Sequence, residues 1–155
     1  MQAGRILYST LLLGIVGFVL SVSVCVAADK QGEEKKDWRH DPYATQLDMN
    51  EGAAADYNKA DQELNRVYKQ ILSKHKANKI FIDKFIKAEQ AWVAFRDAQL
   101  AARFPLPREN YGSMYLMCKY IELTILTNDR IKQLKPWIAG VKEGDGCTGS
   151  YPVNR

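Results

Sequence analysis

Three stretches decide the fold of this chain: ADQELNRVY at 60–68, AEQAWVAFRD at 88–97 and LTNDRIKQL at 126–134. In each stretch, polar side chains interrupt an apolar pattern of helical period. Buried polar groups are costly unless they find hydrogen-bond partners, so we expect the three sets to meet inside a bundle. The predicted structural polar network consists of Asp61, Asn65, Gln90, Trp92, Arg96, Asp97, Thr127 and Arg130.

Asp61 is the predicted acid of this network, and it is expected to neutralise Arg96 or Arg130. A buried guanidinium needs a carboxylate, and a bidentate pair fixes the register between helices. Asn65 lies four residues after Asp61, and therefore on the same helix face. On this interpretation, Asp61→Ala destabilises the protein by several kcal/mol. The alternative interpretation makes the same residues the floor of a binding site.

Apolar residues at helical spacing predict three helices. The first pattern runs from about 44 to 76, the second ends near Phe104, and the third ends at Pro136. Pro105 and Pro107 follow the second pattern and cannot continue a helix. No strand pattern appears. The sequence therefore predicts an all-α fold: a small antiparallel bundle of about three helices with an irregular C-terminal tail.

The N-terminus predicts export. Arg5 precedes an apolar segment from Leu11 to Val26, and the small residues Ala27 and Ala28 stand before a charged stretch. This is the layout of a secretory signal peptide cleaved after Ala27 or Ala28, which predicts a periplasmic or secreted protein. Two alternatives stay open. One is a retained membrane anchor, because the apolar stretch approaches the length that spans a bilayer, and the other is a lipoprotein acylated at Cys25.

The remaining chain divides by composition. The segment after the signal peptide is polar and aperiodic, and the last segment is rich in glycine. We predict a signal peptide at 1–28, a flexible leader at 29–43, a helical domain at 44–138 and an irregular tail at 139–155.

Cysteine usage predicts one disulfide. Cleavage of the signal peptide removes Cys25 and leaves Cys118 and Cys147 as an even pair in an oxidising compartment. In the chain-entropy model, a bridge between them would stabilise the fold by about 3–4 kcal/mol. It would tether the tail to the third helix. Two free thiols are the alternative.

Charge narrows the class of partner. The mature chain carries 21 basic and 18 acidic residues, because the signal peptide removes only Arg5. A net charge of about +3 is too small to indicate nucleic acid, whose binding usually needs a clustered basic face. The chain is acidic at the start of the first helix and basic around the turn into the second, as helix dipoles favour at a helix start and end.

The sequence offers little for catalysis or metal binding. His40 stands in the leader and His75 in a basic turn, each without a recognisable nucleophile. No CxxC or HxxxH spacing occurs, and Cys118 and Cys147 have no neighbouring histidine. We therefore expect a protein that binds rather than an enzyme, with no cofactor and no metal.

The three polar stretches resemble the LprI-like lysozyme-inhibitor family of exported bacterial proteins, over about 46–135. The matching residues are Asp61, Leu64, Asn65 and Tyr68, then Gln90, Trp92, Phe95, Arg96 and Asp97, then Leu126, Thr127, Arg130 and Leu134. Members of the family usually carry cysteines where this chain has Gly52 and Leu100. The resemblance therefore implies that Cys118, which is kept, pairs with Cys147 instead.

This resemblance implies an exported protein that inhibits lysozyme or another cell-wall hydrolase. The alternative is a non-inhibitory envelope accessory or structural protein that binds another secreted partner. No nucleic acid and no membrane span after cleavage are expected. Two surfaces are candidates for the protein partner, the acidic start of the first helix and the loop 104–113, although the loop could be a mere connector. The candidate contact residues are Asp48, Glu51, Asp56, Arg108, Tyr111 and Ser113.

Overall fold

Three long helices make up the fold. The structure is a computed structural model that describes residues 37–144 and 146–154. The long helices are α1 (Gln46–Lys74), α2 (Lys79–Arg103) and α3 (Tyr115–Leu134). A short 3-10 helix, Arg108–Tyr111, lies between α2 and α3. The predicted mainly helical fold with three helices is confirmed.

Residues 1–36 lie outside the described part of the chain. The predicted signal peptide, its cleavage after Ala27 or Ala28, the alternative acylation of Cys25 and most of the predicted leader fall there. Within the described ranges, none of the helices combines the length and the apolar character that a bilayer crossing requires. The described residues belong to one compact unit with its own core.

Side-chain caps fix where the helices begin. Thr45 precedes α1, and its hydroxyl accepts a hydrogen bond from the Asp48 amide at 3.2 Å. The Asp48 carboxylate accepts in return from the Thr45 amide at 2.8 Å, which completes a capping box. The Thr45 hydroxyl also donates to the Asp48 carboxylate at 2.6 Å. This bond, followed by the one from the Thr45 amide, lowers the pKa of Asp48. Asn78 caps α2 in the same manner through the Phe81 amide.

The core lies along the seam between α1 and α3. Asn50, near the start of α1, accepts a hydrogen bond from the Met117 amide, near the start of α3. At the other end, Lys74 donates to the Ile138 carbonyl at 2.6 Å. These two helices therefore run in the same direction. The antiparallel packing of the bundle stays a prediction. The buried core cluster is Leu64, Val67, Ile71, Phe85, Ile131 and Leu134.

Helix α2 is packed far more loosely than its neighbours. Among the described residues of α2, Phe85 is the one that is buried. The backbone of α2 comes close to that of α1 at few points. Phe85 stacks on Tyr68 of α1, with ring centroids 5.6 Å apart. Farther along the helix, Val93 and Phe95 are exposed. The loose packing leaves an open space between α1 and α2.

The C-terminal tail is more regular than predicted. Pro136–Ala139 forms the one-turn helix α4, and the strands β1 (Val141–Lys142) and β2 (Val153–Asn154) pair in parallel. The Trp137 indole donates to the Ser150 hydroxyl and packs on the Tyr151 ring, which holds the tail in place. Strands of two residues are too short to produce a recognisable sequence pattern.

The predicted disulfide between Cys118 and Cys147 is wrong, since the two cysteines are not bonded to each other. Cys118 lies in the first turn of α3. The tail packs at the opposite end of that helix, about 24 Å away at 1.5 Å per residue. A disulfide requires Cα atoms within about 7 Å. Side-chain contacts of Trp137, rather than a covalent bond, tether the tail.

The segment before α1 folds back onto that helix. The Trp38 indole donates to the Asp56 carboxylate at 3.0 Å, and Arg39 contacts the same carboxylate at 2.5 Å. Gly52 makes room for the indole, because a Cβ at this position would stand 2.1 Å from Trp38. Trp38 therefore anchors residues 37–43, the described part of the predicted flexible leader, on α1. Packing of the indole therefore explains why a glycine stands inside α1.

We predict that Gly52→Ala destabilises the protein by about 1–3 kcal/mol, because the new methyl group collides with the indole. In a Trp38→Ala background, the same substitution should stabilise by up to about 1 kcal/mol, since alanine is the better helix former. Urea unfolding of the four variants measures this double-mutant cycle. The same sign in both backgrounds would contradict the packing of Trp38 on Gly52.

Candidate functional site

An open cleft of about 420 Å³ lies between α1 and α2. Its volume falls in the range of small-ligand sites. The α1 wall consists of Asp61, Leu64, Asn65 and Tyr68, and the α2 wall consists of Ile86, Glu89, Gln90, Trp92, Val93 and Arg96. Five residues of the predicted network therefore meet here: Asp61, Asn65, Gln90, Trp92 and Arg96.

Helical spacing explains why these residues share the cleft. On α1, the wall residues follow one another in steps of three, one and three, which keeps them on a single face. On α2, Glu89, Val93 and Arg96 follow one another in steps of four and three, which also places them on one face. The spacing along the sequence therefore accounts for which of these residues share a face. It does not define the distance between the two helices, which is set by packing.

Arg96 does not pair with Asp61 as predicted. Its guanidinium donates twice to the adjacent Asp97 carboxylate, from Nε at 2.9 Å and from Nη2 at 2.8 Å. The third bond goes to the Tyr57 hydroxyl at 3.4 Å. Burial raises the pKa of Tyr57, and the nearby Arg96 charge partly offsets that rise. Asp61 instead accepts a hydrogen bond from the Asn65 amide on its own helix at 3.0 Å.

The main ion pair of the site involves Glu89, a residue that the predicted network omits. Glu89 of α2 binds Arg130 of α3, with the arginine Nε 3.0 Å from the carboxylate. Only 12% of the Glu89 side chain and 14% of the Arg130 side chain are exposed. The sequence held a signal for this role, because Glu89 follows Phe85 by four residues and precedes Trp92 by three. It therefore stands on the apolar face of α2.

Trp92 lies between the two arginines of the predicted network. The Arg96 guanidinium is 5.5 Å from the indole centroid, and the Arg130 guanidinium is 5.9 Å from it. Both distances fit cation–π contact. The Arg96–Trp92 contact expected from their four-residue spacing is therefore present. Trp92 thereby connects the cleft to the Glu89–Arg130 pair.

Thr127 belongs to the core rather than to the polar network. It is fully buried, and its hydroxyl finds no hydrogen-bond partner among the described residues. Its methyl group suits a core position on α3 between Leu123 and Ile131, which are also buried. The predicted role of Thr127, to complete the hydrogen bonds of the arginines, is wrong.

We predict that Thr127→Val stabilises the protein by up to about 1 kcal/mol, because it removes an unsatisfied buried hydroxyl and keeps a branched side chain. Thr124→Val is the matched control, since the Thr124 hydroxyl donates to the Tyr120 carbonyl at 2.7 Å. That variant should not gain stability. Thermal unfolding compares the two variants, and a loss of stability in Thr127→Val would mean that the hydroxyl has a partner.

We predict that Glu89→Gln destabilises the protein by about 3–5 kcal/mol, because it leaves the buried Arg130 charge without a carboxylate. Asp61→Asn removes the same charge and should cost less than about 1 kcal/mol, since the hydrogen bond from Asn65 to the Asp61 carboxylate is exposed and lies within one helix. The large effect predicted from sequence for Asp61 thus belongs to Glu89. Denaturant midpoints of the two variants test this difference, and equal losses would contradict it.

The loop 104–113, predicted as a partner-contact surface, is stiff. Phe104, Tyr111 and Tyr115 form an aromatic cluster, with ring centroids 5.4–5.6 Å apart. The Tyr111 hydroxyl accepts a hydrogen bond from the Leu106 amide at 2.9 Å. Tyr111 is therefore half-buried and supports the backbone of the loop, whereas Arg108 and Ser113 are exposed. Leu106 is 57% exposed and adds an apolar contact that the sequence analysis did not select.

The predicted acidic surface at the start of α1 is smaller than expected. Asp48 completes the capping box, and Asp56 is bound by Trp38 and Arg39. Glu51 is exposed. The hydrogen bond between Asn50 and Met117 places this part of α1 beside the start of α3, which follows the loop. The two predicted contact surfaces therefore lie at the same end of the molecule.

The titratable side chains of the described residues are mostly engaged in structural contacts. Within residues 37–144 and 146–154, no three His, Cys, Asp or Glu side chains form a group that could hold a metal ion. His40 contacts Asp37, and His75 contacts the Trp137 carbonyl. Of the polar groups that line the cleft, Asn65 bonds to Asp61, whereas Glu89 and Arg96 bond to residues outside it. The exposed groups of the loop are directed at solvent.

The fold and these surfaces define a small three-helix protein with a side-chain-lined cleft and a stiff aromatic loop. A family model described as lysozyme inhibitor LprI matches residues 39–134. The chain belongs to this family. The match extends from the docked Trp38–Arg39 segment to the last residue of α3, and it confirms the family resemblance of the three polar stretches. Comparison with curated proteins and with solved structures finds no match.

Proposed function

We propose that this protein is exported and inhibits lysozyme or another cell-wall hydrolase by direct binding. The match of the family model over 39–134 carries this proposal. Because the match includes all three long helices, the proposal concerns the whole described fold.

The loop 104–113 is the contact surface that we assign to this function. Its aromatic cluster and its two prolines hold the backbone before any partner arrives, which lowers the entropy cost of binding. Leu106 and Arg108 stand exposed on it. Lysozyme cleaves its substrate with two carboxylic side chains in a cleft, so a projecting cation beside an apolar residue is complementary to that site.

Charge argues for short-range recognition. The mature chain has a net charge of about +3, so it would not be steered toward a cationic lysozyme by long-range attraction. Glu51, near the same end, adds a local negative charge. Affinity should therefore depend on contacts of the loop and only weakly on ionic strength.

The same charge favours the second candidate function, that of a non-inhibitory envelope accessory protein. Two of the three acidic residues predicted to contact a cationic partner, Asp48 and Asp56, are engaged within the molecule. On this alternative, the loop binds another secreted protein, and cell-wall hydrolysis continues at its normal rate.

A muramidase assay with the mature chain, residues 29–155, tests the proposal. We expect inhibition at micromolar protein against at least one lysozyme type, and Arg108→Glu should weaken it by about tenfold or more because charged contacts at an interface centre are costly to reverse. Lys59→Glu is the matched control, since it makes the same charge change on an exposed part of α1.

Two results would decide against inhibition through this loop. Activity of every lysozyme type unchanged by the wild-type protein would favour the accessory function, and capture of a secreted partner by the same chain would then identify it. Equal inhibition by wild type and Arg108→Glu would support inhibition as the function but exclude the loop 104–113 as the contact surface.

A further inference from the structure

The turn from α1 to α2 forms a strongly basic end of the molecule. We define the basic tip as residues 74–87, which contain five lysines against the single acid Asp83. Asp83 is paired with Lys87 at 3.1 Å, and Lys74 donates to the Ile138 carbonyl. The other lysines of the tip are exposed: Lys76, Lys79 and Lys84.

The helix dipole explains the lysines near the end of α1 but not those at the start of α2. Cations near the end of α1 are favoured, because the carboxyl end of a helix is partially negative. The start of α2 is partially positive, yet Lys79 is its first residue and its first turn contains no acid. Lysines at this position oppose the dipole, so helix stability does not explain them.

An apolar side chain stands among these lysines. Ile80 is 77% exposed, in the first turn of α2, four residues after Lys76 and four before Lys84. One exposed isoleucine is ordinary on a protein surface. An exposed isoleucine inside a basic cluster combines the two features of segments that bind membrane surfaces, apolar insertion and attraction to anionic lipid.

Aromatic packing and a hydrogen bond hold the basic tip on the rest of the protein. His75 packs on Phe81 with ring centroids 4.6 Å apart, and its Nε2 lies 3.1 Å from the Trp137 carbonyl. Phe81 stacks in turn on the buried Phe85. Ile80 and its neighbouring lysines are therefore presented on a fixed turn, and little conformational entropy is lost when they contact a surface.

We propose that the basic tip docks on an anionic phospholipid membrane, with Ile80 entering the headgroup layer and the lysines meeting the lipid phosphates. Lysine stems can cover the apolar surface around Ile80 while their ammonium groups stay at the phosphates. Helix α2 spans 25 residues, so the loop 104–113 at its other end stands about 36 Å from Lys79 and Ile80 at its start. Docking by the tip therefore leaves the loop accessible.

Vesicle sedimentation with the mature chain, residues 29–155, tests this proposal. The chain retains the complete compact unit. We expect binding to vesicles of phosphatidylcholine mixed with phosphatidylglycerol, about tenfold or more weaker binding to pure phosphatidylcholine, and release at high salt. Ile80→Ser should weaken binding severalfold without changing its salt dependence, because it removes only the apolar contact.

Two double variants provide the matched comparison. Lys76→Gln with Lys79→Gln should weaken binding to the anionic vesicles by about tenfold or more. Lys59→Gln with Lys119→Gln removes the same charge away from the tip and should change binding little. Equal losses in the two double variants, equal binding to both vesicle types, or displacement by millimolar inorganic phosphate would overturn the proposal. Neither double variant alters Arg108, so muramidase inhibition is scored separately.

Discussion

The ion pair between Glu89 and Arg130 is the constraint on which the arrangement of the helices depends. Helix α2 has few close backbone approaches to α1, and Phe85 alone among its described residues is buried. The pair therefore fixes how α2 lies against α3 at mid-length, while Phe85 anchors its first half. The cleft between α1 and α2 follows from this geometry, because α2 meets α1 through a few side-chain contacts, such as Phe85 with Tyr68, while ion pairs hold it on α3. Removal of either charge would leave the other buried and unpaired.

Sequence periodicity located the helices well and their partners poorly. The patterns predicted a first helix over about 44–76 and ends near Phe104 and Pro136, close to the observed bounds. The face of a helix follows from spacing alone, and five network residues were accordingly found in one cleft. Partner choice depends on the distances between helices. A carboxylate was rightly expected for a buried arginine, but Glu89 supplies it and Asp61 does not.

The two surfaces with proposed roles lie at opposite ends of α2. One is the stiff loop beside the starts of α1 and α3, and the other is the basic tip at the turn from α1. The family signature residues lie between them, mostly lining the cleft or holding α2 in place. The motifs that identify the family therefore describe its internal construction. The partner contacts that we propose involve exposed residues such as Leu106, Arg108 and Ile80, which share no periodic pattern.

The shared direction of α1 and α3 has a consequence for how the chain acquires its structure. Two neighbouring helices that run the same way must be joined by a long return segment, and here α2 is that segment. Contacts such as Asn50 with Met117 therefore join residues 67 positions apart in sequence. Such non-local contacts slow folding relative to bundles whose neighbours are consecutive. Val67 and Ile71 also lack their α3 partners until the last third of the chain is available, so an incomplete chain would expose its most apolar surface.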